Sequence, residues 1–169
     1  MTINCKGQLI DLSKPKVMGI LNLTPNSFFD GGKYENEAAI VAQVQKMLSE
    51  GATFIDIGAY SSKPGASHIS EEEELQRILP AVSAIIKEFP ETIISIDTFR
   101  STIAKETVAI GAALINDISG GTLDEKMFKT VAKLQVPYIL MHMKGTPQNM
   151  QKNPTYGNIT TELISFLKL

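Results

Sequence analysis

The sequence predicts an α/β fold in which repeated βα units build a parallel sheet, with about five units present and a small β-hairpin ahead of them. Three observations carry this prediction. Short β-branched apolar runs alternate with longer segments of helical period, as strands feeding crossover helices do. The runs are apolar almost without a break, the pattern of strands buried on both faces. Polar residues gather at their carboxyl ends, where the loops of such units converge.

In chain order, residues 3–13 alternate loosely around Lys6-Gly7 and read as a hairpin closing the bottom of the sheet. Val17 to Asn22 is the first buried strand. Ile40, Val41, Val44, Met47 and Leu48 then share one helical face, with Gly51 where a left-handed cap belongs. Phe54 to Gly58 is the second strand. Ser70 and Glu73 form a capping box ahead of the stripe Leu75, Ile78, Leu79, Val82, Ile85 and Ile86, in which Pro80 predicts a kink. Ile93 to Asp97 is the third strand, a shorter helix follows around Ile103 to Ile110, and Leu114 to Asp117 is the fourth strand. Thr122 and Glu125 read as another capping box, opening a helix that buries Leu123, Met127, Val131 and Leu134. Tyr138 to His142 is the fifth strand. Ile159, Leu163, Phe166 and Leu167 start a last helical stripe that runs uncapped to Leu169. A closed eight-unit barrel needs about 250 residues, so residues 1–169 read as one partial barrel domain, with roughly three units lacking and an open edge.

The net charge is -2 and the basic residues are scattered, which excludes an electrostatic footprint for nucleic acid or an anionic membrane. The single Cys5 suits a reducing compartment. With no charged-then-apolar leader and no apolar run near the ~18 residues that span a bilayer, the expected location is cytoplasmic. Asn22-Leu23-Thr24 and Asn158-Ile159-Thr160 match the glycosylation sequon and are read as chance.

Asn22, Asp56, Asp97, Asn116-Asp117 and His142 fall in or at the ends of successive strands. Any one alone reads as a loop-facing polar residue or a helix cap, but together they mark a site. The loop from Leu23 to Gly32 is long and turn-rich, as lids are. The loop from Ala59 to Ala66 brings two hydroxyls and Lys63 to flexible backbone, a set suited to phosphate oxygens, although a Ser- and Gly-rich surface loop would look the same.

Met18 through Phe28, Asp56-Ile57-Gly58 with Ser61 to Ala66, Ser95-Ile96-Asp97-Thr98, Ile115 to Gly121 and Met141 to Pro147 follow one another in an order and spacing that resembles the dihydropteroate synthases. The resemblance spans the chain from the hairpin onward and implies a (β/α)8 TIM barrel. It implies an enzyme that joins a pterin diphosphate to p-aminobenzoate with release of diphosphate in folate biosynthesis. Asn22 would help hold Mg²⁺, Asp97 and Asn116 would contact the pterin, and Ser62 and Lys63 the diphosphate. Phe28, Ser61 and Pro64 would form the p-aminobenzoate side and lid, with Asp56 and His142 in support and no residue assigned as acid or base. Ser62 and Lys63 replace the Thr and Arg common in the family, Ala59-Tyr60 a frequent Gly-Glu, Asn26 an Asp and Phe29 a Ser. The family's later Asp-Pro-Gly-Phe-Gly segment, pterin-contacting Lys and Arg-x-His clamp fall beyond Leu169, so residues 1–169 alone are expected to be inactive. The expected partners are small-molecule substrates and, at full length, a second copy forming a homodimer. A non-catalytic pterin-binding or assembly half-barrel is one alternative. The pterin-binding domain of a corrinoid-dependent methyltransferase is another, disfavoured by the diphosphate-type loop.

Overall fold

The computed structural model describes residues 1–23, 33–61, 68–152 and 154–168, with the backbone alone for 33–36. Strands β1 (Thr2–Cys5) and β2 (Gln8–Asp11) form the expected antiparallel hairpin. Lys6 and Gly7 at its turn both have positive φ, 54° and 84°, the condition for a two-residue turn that follows the strand twist.

Strands β3 (Val17–Asn22), β4 (Ala52–Gly58), β5 (Ile93–Asp97), β6 (Leu114–Asp117) and β7 (Tyr138–Leu140) make a parallel sheet in chain order. Helices α1 (Lys33–Ser49), α2 (Glu71–Glu88), α3 (Ser101–Ala109) and α4 (Met127–Leu134) are the crossovers, and α5 (Ile159–Leu167) follows β7. Among the described residues every sheet neighbour is the next strand, so β3 and β7 are the two outer strands.

Period-two alternation splits the strands into two faces. Leu21, Ile57, Ile96 and Ile115 lie in register across four strands, 1% exposed or less, and pack with Val44, Ile78, Val82, Ile85 and Ile103 of the helices. Each such side chain contributes up to about 1.5–3 kcal/mol. The other face carries three rows. Met18, Phe54 and Ile93 form the lowest, in one cluster with Leu114 and with Cys5 and Ile10 of the hairpin, which therefore closes that end. Ile20, Asp56, Ser95 and Leu114 form the middle row, and Asn22, Gly58, Asp97, Asn116 and Ile139 the upper one.

Several local expectations hold. Gly51 has φ 103° after α1, Ser70 accepts from the Glu73 amide at the head of α2, and α2 runs through Pro80 to Glu88. Others need correction. The helix assigned to Thr122 begins at Met127, because the chain first turns through Gly120 and Gly121, both at positive φ. The Thr122 hydroxyl donates to the Ser119 carbonyl rather than capping a helix, and Leu123 is 42% exposed instead of buried. Asp124 accepts from the amides of Lys126 and of Ser101 at the head of α3. The fifth strand stops at Leu140, short of His142. Asn158 caps α5, its side chain accepting from the Thr161 amide, and none of the apolar residues of α5 is buried.

Candidate functional site

Ionisable groups converge on the upper half of the inner face, at the carboxyl ends of β4, β5 and β6. Asp56 is 5% exposed, and Asn116 reaches across β5 so that its Nδ2 donates to Asp56 Oδ2 at 3.0 Å. Beneath Asn116 and Asp97, the fully buried Ser95 hydroxyl stands beside Asp56. Neither Ser95 Oγ nor Asp56 Oδ1 makes a well-formed hydrogen bond among the described residues. Each is the other's partner, at less than ideal geometry. Burial raises the Asp56 carboxyl, against the lowering influence of Ser95 and Asn116.

Asp97 closes β5 in register between Gly58 and Asn116. A Cβ on Gly58 would meet Asp97 Oδ2 at 3.1 Å and Asp97 Cβ at 3.3 Å, so the bare glycine is what lets the carboxylate lie over β4. Burial first, then the charges of Asp56, Glu74 and Asp117, push the Asp97 carboxyl up to about 7. Asp117, next to Asn116 but on the opposite face, is consumed by structure. It accepts from the amides of Ser119 and Gly121 and from the hydroxyls of Ser119 and Tyr138. Asp97 therefore keeps its hydrogen-bonding capacity for something else.

A buried ion pair supports these loops. Glu74, 0% exposed, accepts from the Thr98 hydroxyl and pairs with Arg100. Arg100 also donates to the Ile69 carbonyl at 2.7 Å and stacks near the rings of Tyr60 and Phe99. The Tyr60 hydroxyl meets His68 Nδ1 and receives Gln148 Nε2, so loops after β4, β5 and β7 are tied to one another.

Of the residues singled out from the sequence, Asp56, Asp97 and Asn116 come together on the inner face. Asn22 ends β3 in the same row, exposed. Ser61 follows β4, half-buried. His142 lies beyond β7 against the rings of Tyr156 and Phe166, both ring nitrogens buried without hydrogen-bond partners among the described residues. Phe28, Ser62, Lys63 and Pro64, and with them the lid and most of the phosphate-type loop, lie outside the described residues. Sequence reasoning passed over Ser95, Glu74 and Arg100. Ser95 had a signal, a hydroxyl two residues before Asp97 in an otherwise apolar strand. Glu74 had none, being the last of four glutamates that open α2.

Among the described residues, no group of three or more His, Cys, Asp or Glu could hold a metal ion by itself, and no helix is long and apolar enough to cross a membrane. Comparison with known proteins adds the rest. A family model described as pterin binding enzyme matches residues 18–169. The dihydropteroate synthase of Haemophilus influenzae is 41% identical over 168 residues, covering 99% of this chain and 60% of that protein. A mitochondrial folate synthesis bifunctional protein of Arabidopsis thaliana is 49% identical over 161 residues, covering 93% of this chain and 29% of its own length. The Yersinia pestis dihydropteroate synthase, solved with a sulfonamide drug complex, superposes with a TM-score of 0.88 at 43% identity, over 99% of this chain and 60% of that one. The Xanthomonas albilineans dihydropteroate synthase, solved with 4-aminobenzoic acid, gives 0.83 at 36% identity, over 98% and 58%. The chain thus spans at most about three fifths of these relatives.

Proposed function

The chain belongs to the pterin binding enzyme family, and from that premise we propose that it forms the pterin-binding part of a dihydropteroate synthase. The reaction would join 6-hydroxymethyl-7,8-dihydropterin diphosphate to p-aminobenzoate, giving 7,8-dihydropteroate and diphosphate. The observation that carries the proposal is the meeting of Asp97, Asn116 and Asp56 on a water-poor inner face. An aminopyrimidinone edge offers N–H donors to such a face, and charge-assisted bonds to a carboxylate are the strong ones. The similarity to synthases over nearly the whole chain supports the same reading.

In this reading Asp97 and Asn116 hold the pterin ring, and the ionised Asp97 steadies the cationic character that develops on the ring as diphosphate leaves. Ser62 and Lys63 bind the diphosphate, and Lys63 does so as a point charge without the two-pronged grip of arginine. Phe28, Ser61 and Pro64 wall the p-aminobenzoate side, and the loops bearing them exclude water that would compete with the arylamine. Asp56 and His142 support the site. Asn22 offers a hard amide oxygen at the strand end, which fits a Mg²⁺ that keeps much of its water and takes its remaining ligands from phosphate. Bound there, the metal would neutralise charge on the leaving oxygens. The full-length protein would act as a homodimer, in the cytoplasm or another reducing compartment, in keeping with the free buried Cys5.

The test is diphosphate release by the full-length protein given pterin diphosphate and p-aminobenzoate with Mg²⁺. Dihydropteroate formation, with Asn22→Ala weakening Mg²⁺-dependent diphosphate binding more than binding of the bare pterin, is expected. Methyl transfer from a methylated folate, without diphosphate release, would overturn the reading.

A further inference from the structure

The Asn116 contact at the floor of the site points to a role for Asp56 beyond lining the pocket. A carboxylate only accepts hydrogen bonds, so the 3.0 Å contact from Asn116 fixes which end of the Asn116 amide faces Asp56. The NH₂ must turn inward, and the carbonyl oxygen is left for the open side.

We propose that Asp56 is the positioning residue that sets the hydrogen-bonding sense of the pocket. By claiming the Asn116 NH₂ it turns the Asn116 carbonyl, beside the Asp97 carboxylate, toward a ligand edge that carries N–H donors. The pocket then selects an amino-substituted heterocycle and rejects an edge of carbonyl acceptors. An acceptor edge would face oxygens throughout, and like-for-like pairs of this kind discriminate strongly because buried polar groups are left unpaired. Asp56 acts through Asn116 and through its charge on Asp97, so it is a positioning residue. The inference rests on the pterin reading above and deepens it.

Its charge gives a readout that a merely structural side chain would not move. Asp97 is pressed by Asp56 from β4, Glu74 from α2 and Asp117 from β6, with burial the larger influence. A donor-bearing ligand favours the ionised form of Asp97, so binding near pH 6.5 releases a proton from the fraction that holds one.

The experiment titrates pterin itself into the full-length protein by calorimetry, in buffers of differing ionisation enthalpy, for the parent, Asp56→Asn, Asn116→Asp and the swapped double variant. Both single variants should bind at least about tenfold more weakly. Asp56→Asn should also release fewer protons at pH 6.5, because Asp97 without its neighbour's charge is already more ionised. The swapped pair restores one amide donor to one carboxylate and still presents an oxygen outward, so it should recover most of the lost affinity. A folded Asp56→Asn protein with the parent's affinity and proton release would overturn the proposal, as would a swapped pair no better than the worse single variant. A parent that does not bind pterin would remove the underlying reading and this proposal with it.

Discussion

Asp97→Asn should make the protein more stable near neutral pH while abolishing its grip on the pterin. The Asp97 carboxyl is raised from 3.8 to about 7, chiefly by burial and then by three like charges. Between those values the folded state holds a proton that the unfolded chain has released, so the contribution of Asp97 to stability is intact below about pH 4 and is lost as pH rises through 7. About three units at 1.36 kcal/mol each gives about 4 kcal/mol as a ceiling, and about 2 kcal/mol once water reaching a partly exposed group is allowed for. Asparagine carries no such penalty. The assay is urea unfolding of the ligand-free full-length parent and variant at intervals from pH 4 to pH 8.5. The variant's advantage should grow by about 2–4 kcal/mol across that range, with pterin binding lost at every pH. A difference between the two proteins that does not change with pH would mean that Asp97 titrates alike folded and unfolded, against the burial that raises it.

Gly58→Ala should lower pterin affinity by about a few-fold, because Asp97 must give way to the new Cβ by a few tenths of an ångström, with little change in the far-ultraviolet circular dichroism spectrum. Arg100→Ala should cost about 3–5 kcal/mol in urea unfolding, because it leaves Glu74 buried without its counter-ion. Residues 1–169 expressed alone should elute from size exclusion as associated species and make no dihydropteroate. The grounds are the two strand edges left unpaired among the described residues, together with exposed Ile20 and Ile139 and with Ile159, Ile164 and Leu167 on α5; a monodisperse active monomer would contradict this.

The strands were legible because burial on both faces writes itself into the sequence as continuous β-branched runs, and β5 and β6 match their expected bounds residue for residue. The corrections come where a distant partner decides. Asp124 takes the amide of Ser101, twenty-three residues away, a cap supplied by the next βα unit, so the local Thr122 and Glu125 pattern had no means of showing it. The fifth strand is cut short because β6, its neighbour among the described residues, ends at Asp117, whose carbonyl takes the Met141 amide as the last bond of the ladder. Within the site, Asp56, Asp97 and Asn116 were visible as polar residues in or at the ends of apolar strands. Their arrangement was not, because Asn116 reaching across β5 to Asp56 depends on sheet curvature. Glu74 looked like a solvated charge at a helix start, and only the fold brings Arg100 to it.

The hairpin beneath the lowest row of the inner face gives the molecule a closed end and an open one. Met1 is fastened to the hairpin that forms that closed end by the Leu12 amide, while the row of Asp97 lies at the other end of the strands. An affinity tag, a surface tether or a fluorophore attached at Met1 would therefore hold the protein by its blind side. The mouth would stay turned to the solution, and immobilised protein should bind small molecules as freely as protein in suspension.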